Sequence, residues 1–220
     1  MIMEASIMKR LSNYDKLCRQ WRERFLKMDQ QQLMEKLPEL KPEGDYLTIC
    51  HFGRKYGVHR QTGEIVPMGG NHIASNTVKL NIYTLFGYVS SLAKFKDNWV
   101  SFEDLKGTSP FAAAFKKGII EPFARTFSGN IDRLQFAMEA MGGKKLPYSD
   151  MGYQVDAFKC IPVRFLFWEG DDEFPPQANM LFDSSATDFI HGESIVSIAM
   201  VGLAQLAEIA GLPLDKSALP

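Results

Sequence analysis

The sequence predicts an α+β fold in which a small mixed or antiparallel sheet is packed by helices and the C-terminal helix is buried. Two groups of strand-like segments, at about residues 45–66 and 153–182, are separated by segments with helical periodicity. Residues 195–210 form a helical pattern that is apolar on most sides, which is typical of a core helix. Strands and helices segregated along the chain are typical of α+β proteins. The sequence leaves open whether the two strand groups pair in one sheet or form two sheets.

The composition of the chain divides it into three parts. Residues 1–44 are predicted to form an N-terminal amphipathic helix and a linker, residues 45–212 a single α+β domain, and residues 213–220 a tail. The predicted helix spans residues 12–37, where apolar residues recur at helical spacing and the opposite face is basic. A solvated basic face is far more common than a nucleic-acid interface, so we expect no nucleic-acid binding.

The first strand group is predicted to contain a hairpin. Its strands are residues 46–52, 54–60 and 64–66. The turn residues Gln61-Thr62-Gly63 separate the last two strands. His51 and His59 lie in these strands, and we interpret each as a packed or surface residue rather than a ligand.

Helical periodicity recurs between the strand groups and after them. The predicted helices are residues 76–92, 110–127, 131–141 and 195–210. Pro122 predicts a break or a kink in the second of these helices, and Gly142 is placed to cap the third. The last helix has a narrow polar stripe that includes Ser194 and Ser197, and we expect it to be too short to span a bilayer.

The segment from Ile161 to Gly192 contains most of the functional signals. The strands predicted in the second group are residues 153–158, 161–168 and 179–182, and residues 99–102 are predicted separately as a short strand or extended piece. The strand at residues 161–168 is rich in β-branched and aromatic residues, which predicts that it is buried on both faces. Asp183 and Ser184 have the pattern of an N-cap pair that opens a short helix.

Carboxylates cluster directly after the buried strand. The candidate metal ligands are Glu169, Asp171, Asp172, Glu173 and Asp183. Hard cations such as Mg²⁺ and Ca²⁺ prefer several oxygen ligands, although neighbouring side chains on an extended chain point in different directions, so at most two adjacent acids share a site. If any of these acids are functional, Glu169 and Asp183 are favoured because they adjoin strand ends. A solvated turn and a recognition surface are the two other interpretations.

Aromatic residues near the predicted strand ends are numerous enough to wall a pocket for a flat apolar ligand. The candidate ligand-binding residues are Trp99, Phe102, Tyr153, Trp168, Glu169 and Asp183. Core packing explains the same aromatic residues and remains the alternative.

Charge is unevenly distributed along the chain. Residues 165–215 contain nine acidic residues and no lysine or arginine, whereas residues 1–164 contain 24 basic and 17 acidic residues. Either these two parts face each other within one fold, or they form patches that bind partners. The hydrophobic content of 45% and the charged content of 23% exclude disordered and fibrous classes.

Cysteine usage and the N-terminal sequence indicate a cytoplasmic protein. Cys18, Cys50 and Cys160 are isolated in sequence, which argues against a disulfide framework and against an iron–sulfur or zinc site built from these residues alone. The N-terminal residues lack the pattern of a signal peptide. We therefore expect neither secretion nor membrane insertion.

The sequence contains no motif of a known catalytic class, such as GxSxG, HExxH, GxGxxG or a phosphate-binding loop. We therefore favour a module that binds a small ligand, a cofactor or a partner protein. The alternative is a metal-dependent hydrolase that uses the acidic cluster at residues 169–183. The sequence does not decide whether the protein is an enzyme, which cofactor it uses or its oligomeric state.

Three stretches of the sequence carry a resemblance to a known family. They are Phe52-Gly53-Arg54 before the hairpin turn Thr62-Gly63-Glu64, Trp99 to Phe102 with Leu105, and the run from Pro162 to Asp183. Together they resemble an uncharacterised prokaryotic domain, domain of unknown function 3786, over about residues 45–210.

The resemblance implies relatives in anaerobic bacteria and archaea, some with a cysteine-rich iron–sulfur motif of the kind seen in corrinoid proteins. This chain departs from those relatives, because its first 45 residues contain only Cys18. The resemblance thus suggests a module accessory to anaerobic redox or one-carbon metabolism, involving corrinoids or iron–sulfur proteins.

Overall fold

Helices and strands alternate in groups along residues 13–215, which are the residues that the computed structural model describes. The helices are α1 (Asn13–Phe25), α2 (Gln30–Lys36), α3 (Asn76–Tyr88), α4 (Ala112–Phe115), α5 (Glu121–Phe127), α6 (Ile131–Ala140), α7 (Ala186–Phe189) and α8 (Gly192–Ala210). The strands are β1 (Lys41–Glu43), β2 (Tyr46–His51), β3 (Arg54–His59), β4 (Ile65–Pro67), β5 (Trp99–Ser101), β6 (Lys144–Lys145), β7 (Met151–Phe158), β8 (Ile161–Trp168) and β9 (Gln177–Asp183).

The strands form two antiparallel sheets, which confirms the α+β prediction. One sheet has the order β1-β2-β3-β4 and the other the order β5-β9-β8-β7-β6. The two strand groups of the sequence therefore form two sheets. Strand β8 is buried along most of its length, as its mostly apolar composition predicts, and its one charged residue, Arg164, is only partly buried.

Two tight turns define the register of the first sheet. His51 pairs with Arg54, so Phe52 and Gly53 form a two-residue hairpin loop, and both residues have positive φ, at 48° and 74°. The predicted turn near Gly63 is confirmed, and the hydroxyl of Tyr83 donates to the Gly63 carbonyl over 2.6 Å. Phe52 also reaches the second sheet, because its N–H donates to the Ala157 carbonyl over 3.0 Å.

The N-terminal region differs from the single helix predicted over residues 12–37. The first helix ends at Phe25, and Asp29 caps α2, since its carboxylate accepts the N–H groups of Gln31 and Gln32. The predicted linker at residues 38–44 contributes β1 to the first sheet. Residue 12 lies outside the described residues, so the structure does not test the predicted start of the helix.

Pro122 distorts its helix as expected. The pyrrolidine ring removes one N–H and crowds the carbonyl four residues earlier. The chain accommodates this with a π-helical turn at Lys116–Ile120 between α4 and α5. The interruption therefore has a local, sequence-encoded cause.

Helix α8 is buried where the two sheets meet. Gly202 lies against the ring of Phe52 from the first sheet and the ring of Phe165 from the second. The side-chain amide of Gln205 donates to the Phe52 carbonyl over 2.9 Å, which satisfies a buried backbone acceptor. The prediction of a buried C-terminal helix is confirmed.

By length and composition, α8 could also cross a membrane, so the expectation that it is too short for a bilayer is wrong. The helix has 19 residues, and half of its most apolar window is buried against the rest of the described chain. The helix is longer than the apolar pattern predicted because its N-cap is His191, whose imidazole accepts the Glu193 N–H.

Gly202 is a site where one added methyl group tests the packing of α8. A Cβ at this position would lie 2.6 Å from the Cζ atom of Phe52, a fully buried ring on a constrained turn. Overpacking costs about 1–3 kcal/mol and outweighs the gain of about 1 kcal/mol in helix propensity. We expect Gly202→Ala to lower the free energy of unfolding by up to about 2 kcal/mol in urea denaturation.

The matched control is Ala204→Ser, which also adds one heavy atom to α8 but on its exposed face. This change should alter the unfolding free energy by less than about 0.5 kcal/mol. Equal effects of the two substitutions would contradict the close contact of Gly202.

Candidate functional site

The four candidate aromatic residues do not wall a common pocket. Phe102 and Tyr153 are fully buried, and Phe102 stacks on Phe115 with ring centroids 4.0 Å apart. Trp99 pairs with Asp183 at one end of β9, whereas Trp168 pairs with Gln177 at the other end. Six residues of strand separate these ends by about 20 Å. For Phe102 and Tyr153, core packing is the interpretation that the structure favours.

Trp99 is covered by a cation rather than left open for a ligand. The guanidinium carbon of Arg164 lies 3.7 Å from the centroid of the Trp99 ring, and the indole N–H donates to Asp97. The rings of Phe95 and Trp99 form a T-shaped pair with centroids 6.0 Å apart. These contacts hold the side chain against the face of the second sheet.

The same strand geometry separates Asp183 from the other candidate metal ligands. Asp183 lies at the end of β9 opposite to Glu169, since β8 and β9 run antiparallel from one end to the other. Among the described residues, no group of three or more His, Cys, Asp and Glu side chains is placed to hold a metal ion. The five acids therefore do not form a single site.

Asp183 is a buried carboxylate that organises the chain around it. It accepts the N–H groups of Lys96, Asn98 and Ser185, and also the hydroxyl of Ser185. Burial by itself would raise the pKa of Asp183, but these hydrogen bonds outweigh it and lower the pKa below its ordinary value. The carboxylate thus joins the segment before β5 to the end of β9. The prediction that Asp183 and Ser184 cap the short helix is wrong, because the N-cap residue of α7 is Ser185 and its side chain makes no capping hydrogen bond. Asp183 instead accepts the N–H of Ser185 itself.

Glu169 and Asp171 form local hydrogen bonds at the opposite end of the sheet. Glu169 accepts the N–H of Gly129 over 3.0 Å and so ties the α5–α6 loop to the end of β8. Asp171 accepts the N–H groups of Glu173 and Phe174, and these bonds lower its pKa. With the exposed rings of Trp168 and Phe174, they border a shallow depression of about 310 Å³. Asp172 and Glu173 do not line it, and both are exposed.

A larger cleft of about 560 Å³ lies between helices α1, α3 and α8. We call it the helix cleft. The residues that line it are Tyr14, Leu17, Trp21, Arg24, Thr77, Leu80, Asn81, Thr84, Tyr88, Phe111, Ala114, His191, Glu193, Ser194, Val196, Ser197 and Met200. None of the ligand-binding candidates taken from the sequence is among them.

The wall of the helix cleft is aromatic. The rings of Trp21 and Tyr88 lie 5.7 Å apart between centroids, and those of Tyr88 and His191 lie 5.4 Å apart. The guanidinium of Arg24 lies 4.7 Å from the centroid of the Trp21 ring. Trp21 packs closely against Gly87 of α3, which fixes the position of this wall. Any side chain at position 87 would overlap the indole ring.

The floor of the helix cleft is polar and begins at a buried histidine. His51 is 1% exposed, and its ring stacks on Phe158 with centroids 4.4 Å apart. Its Nδ1 lies 2.8 Å from the Ala157 carbonyl, and its Nε2 lies 3.1 Å from the side-chain amide nitrogen of Asn81. The Asn81 side-chain oxygen accepts the hydroxyl of Ser197 on α8. His51, Asn81 and Ser197 thus form one hydrogen-bonded chain from the sheet to the cleft.

The protonation state of His51 determines the direction of this chain. Burial lowers the pKa of His51 from 6.5 to about 4, although the bond to Ala157 favours the charged form. The ring is therefore neutral at pH 7. A carbonyl can only accept, so Nδ1 carries the proton and Nε2 accepts from Asn81. The Asn81 amide cannot relay a proton from Ser197 to His51, so the three residues are not a nucleophile-activating triad.

The sequence contained a weak signal for the helix cleft. The polar stripe of Ser194 and Ser197 on α8 and the apolar face of α1 are both visible in the sequence, but each is explained equally well by packing. His51 is packed, as expected, and only the tertiary contacts join it to Asn81 and Ser197. Sequence reasoning missed the site because its walls come from helices far apart in the chain.

Comparison with protein-family models shows to which protein family this chain is related. The model of a domain of unknown function, DUF3786, matches residues 31–204, most of the chain. The chain belongs to the DUF3786 family. Comparisons with curated proteins and with solved structures find no match. The resemblance seen in the sequence is confirmed, and the match begins at residue 31 rather than near residue 45.

The residues that line the helix cleft lie partly inside and partly outside the DUF3786 match. Helix α3 and most of α8 lie within the match, as do His51, Asn81 and Ser197. Helix α1 precedes it. The DUF3786 domain therefore supplies the polar floor and two walls, and α1 supplies the wall that carries Trp21 and Arg24.

Proposed function

We propose that this DUF3786 protein binds a small, mainly apolar ligand in the helix cleft. The observation that carries the proposal is an aromatic-walled concavity with a fixed polar floor, which is the usual construction of a small-molecule site. A volume of about 560 Å³ lies within the range of such sites. The floor orients a ligand, and the walls supply the apolar contact area.

The distribution of exposed apolar side chains supports the same site. The large side chains of Tyr14, Leu17, Tyr88 and Met200 are all exposed, and all four line the helix cleft. Scattered exposed apolar residues need no explanation, but several around one concavity are typical of a binding surface. A bound apolar ligand would remove this surface from water.

A small ligand explains the cleft better than a complete corrinoid does. A corrin ring with its side chains is larger than the cleft, so the suggested link to corrinoid or iron–sulfur metabolism rests on the family resemblance alone.

We also propose a cytoplasmic location. The three cysteines are free thiols, which is typical of a reducing compartment.

The metal-dependent hydrolase has less support as a second candidate. It requires acids of residues 169–183 to share a cation, but Asp183 lies at the opposite end of β9 from the others. Glu169 and Asp171 are already engaged by backbone N–H groups.

Blocking the helix cleft tests the proposal. A screen of small apolar compounds by thermal shift should identify ligands that raise the melting temperature, since a ligand that binds only the native state stabilises it. Met200→Trp places a large ring in the cleft and should abolish the shift for those compounds. Met200 is a partly exposed cleft residue, so we expect the variant to fold.

The matched control is Leu92→Trp, which adds a similar ring at an exposed position outside the cleft. This variant should retain the full thermal shift. A shift that persists in Met200→Trp, or that disappears in both variants, would contradict binding in the helix cleft.

A further inference from the structure

The polar floor of the helix cleft has a fixed hydrogen-bond direction that constrains the chemistry of a ligand. Because His51 holds its proton on Nδ1, its Nε2 accepts and Asn81 must turn its NH₂ group toward the ring. The Asn81 oxygen is thereby turned toward α8, where it accepts the hydroxyl proton of Ser197. The orientation of each group follows from the one before it.

Ser197 ends this chain with its single proton already committed. Its hydroxyl lies within hydrogen-bond distance of two groups that can only accept, the Asn81 side-chain oxygen and the Ser194 carbonyl, which is 2.9 Å away. Ser197 is half-buried and lines the cleft. What its oxygen offers a bound molecule is therefore a lone pair, not a proton.

Thr84 on the opposing helix α3 repeats the arrangement. Its hydroxyl donates to the Leu80 carbonyl over 2.7 Å, with the Asn81 carbonyl 3.2 Å away, so its proton is also committed. Both hydroxyls at the floor are thus hydrogen-bond acceptors toward the cleft. Among residues 13–215, the hydroxyl of Ser194, one turn nearer the start of α8, has no such partner, so it can either donate to a ligand or accept from it.

From this geometry, we infer that the helix cleft selects apolar ligands that carry a hydrogen-bond donor, such as a ring N–H or a hydroxyl group, at the end that meets Ser197. This inference rests on the proposed binding function and specifies its ligand class. A ligand acceptor, such as a carbonyl or an ether oxygen, would face the Ser197 lone pairs and leave both oxygens without a proton. A site whose buried polar group forms a hydrogen bond with one ligand discriminates against an analogue that cannot form that hydrogen bond.

Two size-matched probes test the inference. Indole carries a ring N–H donor, and benzofuran carries an oxygen in the same position. Protein-observed NMR titrations should place both probes in the cleft through shifts of the Ser194 and Ser197 amides. We expect indole to bind about fivefold or more tightly than benzofuran, because only indole donates to Ser197.

Substitution of Ser197 identifies the acceptor. In Ser197→Ala the preference for indole should weaken, because only the Asn81 side-chain oxygen is then left as an acceptor at this point, whereas Ser194→Ala, one helical turn away, should keep the preference. Ser197→Cys is a second variant, because a thiol is a weak acceptor but keeps a donor for Asn81 and so protects the fold.

The possible outcomes distinguish failure of the donor selectivity from failure of the proposed ligand site. Equal binding of both probes to the wild-type cleft, or a preference that survives undiminished in Ser197→Ala and Ser197→Cys, overturns the donor selectivity and leaves the proposed ligand site standing. Titrations in which neither probe shifts the cleft amides overturn the ligand site, and the selectivity with it.

Discussion

A chain that ends at Gly192 is expected not to fold. The deletion removes α8, whose side chains Ile195, Ile198, Leu203 and Leu206 are at most 1% exposed. Each contributes about 1.5–3 kcal/mol through burial, so their sum is comparable with the whole stability of a domain, about 5–15 kcal/mol. The deletion also exposes the rings of Phe52 and Phe165 that pack against Gly202. We expect loss of the cooperative thermal transition, measured by circular dichroism, and aggregation on expression.

The control for this deletion is a chain that ends at Asp215. It keeps α8, its C-cap Gly211 and the ion pair between Arg125 and Asp215, and should melt as the full-length protein does. A soluble protein ending at Gly192 with an unchanged cooperative melt would show that α8 is not part of the core.

Stability is expected to fall by about 3 kcal/mol between pH 6.5 and pH 4 through His51 alone. Burial lowers the folded-state pKa of His51 to about 4, whereas the unfolded chain titrates near 6.5. Between these values the unfolded state binds more protons, so acid favours unfolding. The full stability is present above pH 6.5 and is lost as the pH falls to about 4. Protonation also puts a proton on Nε2, which then faces the Asn81 NH₂ group and breaks the polar floor.

Urea denaturation at a series of pH values measures this contribution. His51→Gln should be less stable than the wild type at pH 7, and the difference should shrink as the pH falls, because the variant has no imidazole to protonate. The matched control is Ala204→Ser on the exposed face of α8, which changes no titratable group and should keep the wild-type slope. A constant difference between wild type and His51→Gln from pH 7 to pH 4 would show that His51 is not held neutral.

The two structural predictions and the proposed site depend on the same contacts. Helix α8 packs on Phe52, the residue after His51, and carries Ser197 to Asn81. The core that stabilises the domain thus also orients the floor of the helix cleft. In contrast, the wall on α1 lies before the DUF3786 match and is joined to α3 through Trp21 and Gly87. This wall is therefore built by residues outside the matched domain.

Local structure could be predicted well from the sequence where one residue determines the backbone. Gly63 predicted the β3–β4 hairpin, Pro122 predicted the interruption between α4 and α5, and Gly142 ends α6 with φ of 76°. The apolar run of β8 predicted a strand buried on both faces. The turn, the helix interruption and the helix end depend on neighbouring residues only, so no tertiary information is needed to predict them.

The candidate site could not be predicted in the same way. Asp171 and Asp183 are close in sequence, but β9 carries the chain about 20 Å between the two ends of the sheet. Conversely, His51, Asn81 and Ser197 are far apart in sequence and form one hydrogen-bonded chain. Proximity in sequence is therefore a poor guide to a shared site when a strand intervenes.

The sequence by itself determined the α+β class, the buried C-terminal helix and the family, because these depend on periodicity, turn residues and local motifs. Only the tertiary structure decided that there are two sheets, that Asp183 stands apart from the other acids, and that a cleft opens between α1, α3 and α8. The physical reason is that a cleft is a gap left by side chains from distant segments after packing. Its shape, its hydrogen-bond direction and the pKa of His51 exist only once those segments are in contact.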